Sequence, residues 1–397
     1  MEYKIKFDKG VLKQKKRADN SIFFYDEIPQ IFNSNSIEQK INILNDKVLY
    51  SVSYYANKYN QNSFLKYNET FWHRIYYPYF YKLLSIIEVV RYTLIEIEKK
   101  YSKHKIIIEK PKILYNDLEN ESDLTDNFSE DLLCEMAIDI IKFYNLKTFL
   151  IIENQRIHKI KINNYRNRIS INKLLYKLLD LKFEIGYGIS LIDSIILTNK
   201  LVGLNFPDIQ KNLMANHYKS LKRLEYVDIL DKYIPNSLKI IDNKIEQTRK
   251  TLGNKKILRV INNLGSVDLS IRIKYALEEF SGSIIIPIQH GGHLYGSSKI
   301  HKYSLHTDLF YNYFISWGWS RLKDQAPKST NVLDLPSPYI SKLINTERRF
   351  AKKIILVSTE ESLIHHRFEH ILTSTQIKKR FEDKTRLIKF FIDNPNI

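Results

Sequence analysis

Beyond Lys255 the sequence alternates short apolar runs with helix-period stretches, and this alternation limits the possible folds more sharply than any other feature. KKILRVIN (255–262) reads as a strand, SIRIKYALEEF (270–280) as a helix and SIIIPIQ (283–289) as the next strand. DLFYNYFIS (308–316), VLDLP (332–336) and KKIILVS (352–358) extend the strand series, and Ser374 to Ile392 reads as a helix. Neighbouring parallel strands need long crossovers, and helices in those crossovers cover the sheet faces, so near-continuous apolar runs predict a parallel sheet buried on both sides. The expected fold class is α/β, with a parallel sheet covered on both faces.

The upstream half carries weaker signals. Ser21 to Tyr25 is a short strand candidate within polar, Asn-rich connections. From Phe64 to Tyr101 apolar groups recur every three to four residues, predicting a helix in which Pro78 marks a start or a kink. The stretch from Tyr115 to Asp131 is acidic and reads as a loop; a helix follows to Tyr144, then a possible strand from Phe149 to Glu153. Residues 163–248 read as mostly helical, with Lys211 to Tyr226 as a helix whose charges form a solvated face. A length of 397 residues suits two domains, or one large domain with an insertion.

Composition narrows the function classes. Hydrophobic residues make up 44% of the chain, which argues against global disorder. No apolar run is long enough to span a bilayer, and the lysine-rich N-terminus lacks the apolar region of a secretory signal. The single cysteine, Cys134, fits a reducing compartment, so a cytoplasmic location is expected. The net charge of +18 is spread along the chain with no helix-turn-helix, zinc-finger or RNP pattern beside it, so no nucleic-acid partner is expected. Association with a membrane surface fits that charge better.

The chemistry concentrates between Ile284 and Trp319. Five of the eleven glycines and two of the three tryptophans fall between Gly282 and Trp319. An apolar strand runs directly into Gln289-His290-Gly291-Gly292, with Tyr295 and Gly296 close behind, and the next strand ends in Trp317-Gly318-Trp319. A histidine at such a junction projects past the carboxyl edge of a sheet, where it can act as a general base or bind phosphate. Adjacent glycines let backbone N–H groups face an anion. Asp308 can orient a base or accept a substrate hydroxyl, and Trp317 and Trp319 can stack on a flat ring or a sugar face. The plainer alternative is a structural turn above an aromatic plug. Trp72, His73 and Arg74 open the aromatic helix near residue 70, where they line either an acceptor groove or a core.

Other constellations are weaker. His366 to His370 spells H-x-x-E-H, but no histidine follows to complete a zinc site, and a polar helix face accounts for it better. His290, His293, His301, His306 and Asp308 lack defined metal-ligand spacing, so no metal is expected.

QHGGHLYG, followed by an acidic residue on a strand ending in WGW, resembles a bacterial family of transferases of surface-carbohydrate biosynthesis. NETFWHRIYYPYFYKLLSIIEVVR (68–91) is similar to that family's N-terminal signature, and LDLPSPYIS (333–341) to its link out of the first sheet domain. The resemblance implies a GT-B-like enzyme with two doubly wound domains and an activated sugar between them. It implies a nucleotide-sugar donor, a glycan or lipid-linked acceptor, no cofactor, and a place in the cytoplasm or at the inner face of the membrane. His290 and Asp308 would be catalytic. Gln289, Gly291, Gly292, Tyr295, Gly296, Trp317, Trp319, Trp72, His73 and Arg74 would contact substrate. The expected division is an N-terminal α/β domain over 1–345, with a helical insertion over 101–250, and a second, truncated Rossmann-like domain over 346–397. A catalytically incompetent remnant that binds a glycan or partner, and a polyol-phosphate transferase, are the alternatives.

Overall fold

A computed structural model describes residues 2–7, 20–24, 27–28, 34–62, 66–113, 118, 130–158, 183–185, 227–253, 257–262, 268–289, 302–319, 330–337 and 374–394. In chain order the elements are β1 (Glu2–Lys6), β2 (Ser21–Phe23), α1 (Ser34–Asn62), α2 (Glu69–Lys100), β3 (Lys105–Ile113), α3 (Glu130–Tyr144) and β4 (Phe149–His158). Then come β5 (Phe183–Ile185), α4 (Val227–Tyr233), α5 (Asn236–Lys239), α6 (Ile241–Thr251), β6 (Leu258–Asn262), α7 (Leu269–Phe280) and β7 (Ile284–Ile288). The last are α8 (Lys302–His306), β8 (Tyr313–Trp317), β9 (Asn331–Leu335) and α9 (Ser374–Asp393). The architecture is α/β with two parallel sheets and several helices, as the alternating pattern led us to expect.

The first sheet has four strands in the order β2-β1-β3-β4, all parallel. The second has five, β5-β6-β7-β8-β9, also all parallel. Only the first sheet, among the described strands, shows the order reversal of a doubly wound fold, between β1 and β3. The second sheet adds its strands in chain order. It is nonetheless buried on both sides: Val260, Ile286, Ile288 and Ile315 form one apolar cluster, and Ile261, Ile285 and Tyr311 another.

α2 is the central element. The Asn68 side chain caps it by accepting from the Phe71 N–H at 2.9 Å, and Lys99 and Lys100 complement its carbonyl end. Pro78 lies inside the helix without ending it. Every residue from Phe71 to Tyr81 is buried, the signature of a helix enclosed on all sides. α1 packs along it through Ile41, Leu44, Val48, Val52 and Tyr55. α7 contributes Leu269, Ile273, Ala276 and Leu277 to the same core, which also takes in Ile106 and Ile108 of β3.

Two expectations need correction. The residues after the strand candidate Ser21 to Tyr25, read as polar connections, form the 29-residue helix α1. β3 and β4 of the first sheet lie within residues 101–250, the span expected to hold a helical insertion. The strand expected to start at Asp308 starts at Tyr313, because the Asp308 and Leu309 N–H groups both donate to the Ser304 carbonyl and close α8 with a turn. The strand candidate 352–358 and the H-x-x-E-H segment lie outside the described residues.

Candidate functional site

The carboxyl edge of the second sheet is held by Gln289. Its backbone N–H donates to the Ile315 carbonyl at 2.8 Å, extending the β7–β8 ladder by one residue. Its buried side-chain Oε1 accepts from the Trp317 N–H and from the Trp319 indole N–H, both at 2.8 Å. One amide oxygen therefore fixes the ends of β7 and β8 together. Ser316 completes the arrangement: its hydroxyl donates to the Trp319 carbonyl and accepts from the Trp319 N–H. This compact turn requires φ of +83° at Gly318, a left-handed conformation that suits glycine.

The two tryptophans are thereby distinguished. Trp319 is committed to structure, with its indole N–H on Gln289 and its ring 5.7 Å from that of Phe314. The Trp317 indole N–H is shielded from solvent but makes no hydrogen bond among the described residues. The side-chain oxygen of Gln289, expected to contact substrate, already accepts two hydrogen bonds within the protein. His290, Gly291, Gly292, Tyr295 and Gly296 follow it directly in the chain and lie outside the described residues.

Asp308 stands elsewhere. It precedes β8, whereas Gln289 meets the far end of β8 at Trp317, so about 17 Å of strand separates the two levels. The buried Asp308 belongs to a second polar cluster, where α2, α7 and the α8–β8 turn meet. There His73, Arg74, Pro78, Arg272, His306, Thr307 and Tyr311 line a cavity of about 20 Å³, above the roughly 10–15 Å³ that one water molecule needs.

The geometry of this cluster is specific. The Arg74 guanidinium makes two hydrogen bonds to the Glu279 carboxylate, at 3.0 and 3.1 Å, and lies 3.3 Å from the centre of the Tyr311 ring. Burial opposes its charge, but Glu279 and Tyr311 outweigh burial and raise its pKa. Arg272 donates to the Ile75 carbonyl at 3.0 Å, tying α7 to α2. His73 is fully buried, with ring centroids of Phe310 and Tyr77 at 4.0 and 4.7 Å. Neither of its ring nitrogens makes a hydrogen bond among the described residues. Burial, then the neighbouring His306 and Arg74, hold its pKa well below the ordinary histidine range. Burial likewise pushes the Tyr311 hydroxyl up, with Arg74 partly opposing the shift.

The two blocks singled out in the sequence thus meet in space, but through their buried residues. Trp72 faces the opposite way from Arg74: its indole N–H donates to Asn60 at 2.9 Å and its ring stacks on Tyr76 at 5.5 Å. All three residues of the Trp72-His73-Arg74 cluster are buried, the core arrangement that stood beside the acceptor groove as the alternative. Arg272 and Glu279 were missed, although a signal exists. They share the stripe of α7 that carries Leu269, Ile273 and Ala276, and charges on a buried stripe mark a polar contact between elements. Cys134 is no nucleophile candidate, since burial pushes its thiol up to about 12.

No curated protein and no solved structure matches the chain. A family model described as LIC12162 family transferase matches residues 14–393, which takes in every described strand except β1, the aromatic helix α2 and the glycine-rich junction after β7. With nearly its whole length covered by that match, the chain belongs to the LIC12162 family of transferases.

Proposed function

We propose that this transferase moves a sugar from a nucleotide-sugar donor to a glycan or lipid-linked acceptor in the building of bacterial surface polysaccharide. The observation that carries the reading is the Gln289 clamp at the carboxyl edge of β7 and β8, the edge at which parallel α/β sheets bind ligands. The clamp gives the segment that begins at His290 a rigid point of departure. It also holds Trp317, whose indole N–H is still uncommitted, at the same edge. A GT-B-like arrangement accords with two all-parallel sheets in one chain.

In this reading His290 takes the proton of the acceptor hydroxyl, and backbone N–H groups of Gly291 and Gly292 stabilise the departing phosphate. Tyr295 and Gly296 complete the donor pocket, and Trp317 stacks on the sugar. Asp308 and the Trp72-His73-Arg74 cluster act through packing. No metal or cofactor is invoked. The work is cytoplasmic, where Cys134 stays reduced.

Calorimetric titration with a panel of nucleotide sugars tests the reading. At least one should bind saturably, and the absence of any such binding overturns it. With that donor, His290→Ala should lower turnover about 100-fold or more at unchanged donor affinity. Trp317→Ala should weaken donor binding by roughly three- to tenfold, the contribution of one aromatic stack.

A further inference from the structure

α9 differs from the other long helices in having no buried residue from Lys379 to Asp393, although Phe381, Leu387, Ile388, Phe390, Phe391 and Ile392 lie along it. Phe381 is 70% exposed, Ile392 69% and Ile388 48%. A helix of a globular protein ordinarily turns such a stripe toward the core. At about 100° per residue, Phe381, Ile388 and Ile392 fall within a narrow arc. Arg380 and Lys384 border that arc on one side, and Lys389 with Glu382 beside it on the other, while Asp383, Leu387 and Phe390 fall toward the far side. Arg386 holds Asp383 in an ion pair at 2.6 Å. Over Lys379–Asp393, Lys379, Arg380, Lys384, Arg386 and Lys389 outnumber Glu382, Asp383 and Asp393.

We propose that α9 docks the protein on a membrane surface rich in anionic lipid. The helix would lie in the plane of the interface, with Phe381, Ile388 and Ile392 among the acyl chains and the flanking cations at the headgroups. Charge complementarity selects this occupant. Cations on both sides of an apolar stripe match a plane of negative charge, and the chain as a whole carries +18. A second copy of the same helix would instead bring Lys384 and Lys389 toward their own counterparts. No helix among the described residues is long and apolar enough to cross a membrane, so the contact would be peripheral. The proposal is independent of which group the enzyme transfers.

Vesicle co-sedimentation of the full chain tests it. The protein should pellet with vesicles of phosphatidylcholine and phosphatidylglycerol, and far less with phosphatidylcholine alone. Lys384→Gln and Lys389→Gln should each weaken binding roughly fivefold, and added salt should release the wild type. The double variant Phe381→Ser, Ile388→Ser should lose binding while unfolding at the wild-type temperature, because neither side chain is buried. Equal sedimentation with both vesicle types, or undiminished binding by the double variant, overturns the proposal. So does a wild-type dimer in size-exclusion chromatography that the double variant dissociates, since a second copy would then cover the face.

Discussion

His73 shows how a single residue can look like a substrate contact in a sequence and lie in the core of the fold. A histidine between a tryptophan and an arginine suggests a substrate contact, yet this one is enclosed by Tyr77, Phe310, His306 and Arg74. Its depressed pKa has a consequence for stability. The unfolded chain takes up a proton at this position near pH 6.5, whereas folded His73 refuses it until a lower pH. The unfolded state therefore binds more protons in that window, and stability falls as pH drops below about 6.5, by up to roughly 1.4 kcal/mol per pH unit. Above that window both states are neutral and the residue adds no pH dependence. His73→Phe keeps the ring stacking and removes two nitrogens that form no hydrogen bond in the described structure. Urea unfolding of the variant should show equal or greater stability at neutral pH and a shallower loss on acidification. An acid slope identical to wild type would assign the proton uptake to another group.

At the scale of elements, the Gln289 clamp joins two strands that share a single paired register, Ile288 with Ile315. Gln289→Leu leaves the Trp317 N–H and the Trp319 indole N–H without their acceptor, so a loss of about 1–3 kcal/mol is expected. Thermal unfolding should shift down accordingly, with a red shift of tryptophan emission as the end of β8 loosens. Unchanged emission and midpoint would show that the clamp does not fix this edge. The sequence disclosed β6, α7, β7 and β9 closely because their apolar runs are short and bounded by breaks. α1 was hidden by its asparagines and serines, which are poor helix formers, and its stability comes from the Ile41–Leu44–Val48–Val52 stripe against α2. The aromatic pattern LFYNYF masked the turn at 308–312, since alternating large residues look like a strand wherever they pack. The glycine-rich junction was legible as a strand end. The Arg74–Glu279 and Arg272–Ile75 links were not, because they join residues about two hundred positions apart.

At the scale of the molecule, those links and the core around α2 join the two sheets, so the two are expected to unfold as one cooperative body. Ile106 on β3 of the first sheet and Ile273 on α7, which leads into β7 of the second, belong to the same apolar cluster. Arg74–Glu279 and Arg272–Ile75 cross the same boundary with polar contacts. A chain built from two independent domains would unfold in two steps, each sensitive only to its own substitutions. Here Ile106→Ala and Ile273→Ala, each removing a fully buried side chain, should both lower a single calorimetric transition by about 2–5 kcal/mol. Two resolved transitions, with each variant moving a different one, would show that α2 belongs to the first sheet alone. If the proposed donor binds at the β7–β8 edge, it should raise the unfolding temperature of whatever unit encloses it. In a single cooperative body a saturating nucleotide sugar should therefore shift the whole transition, including the part that Ile106→Ala destabilises on the other sheet.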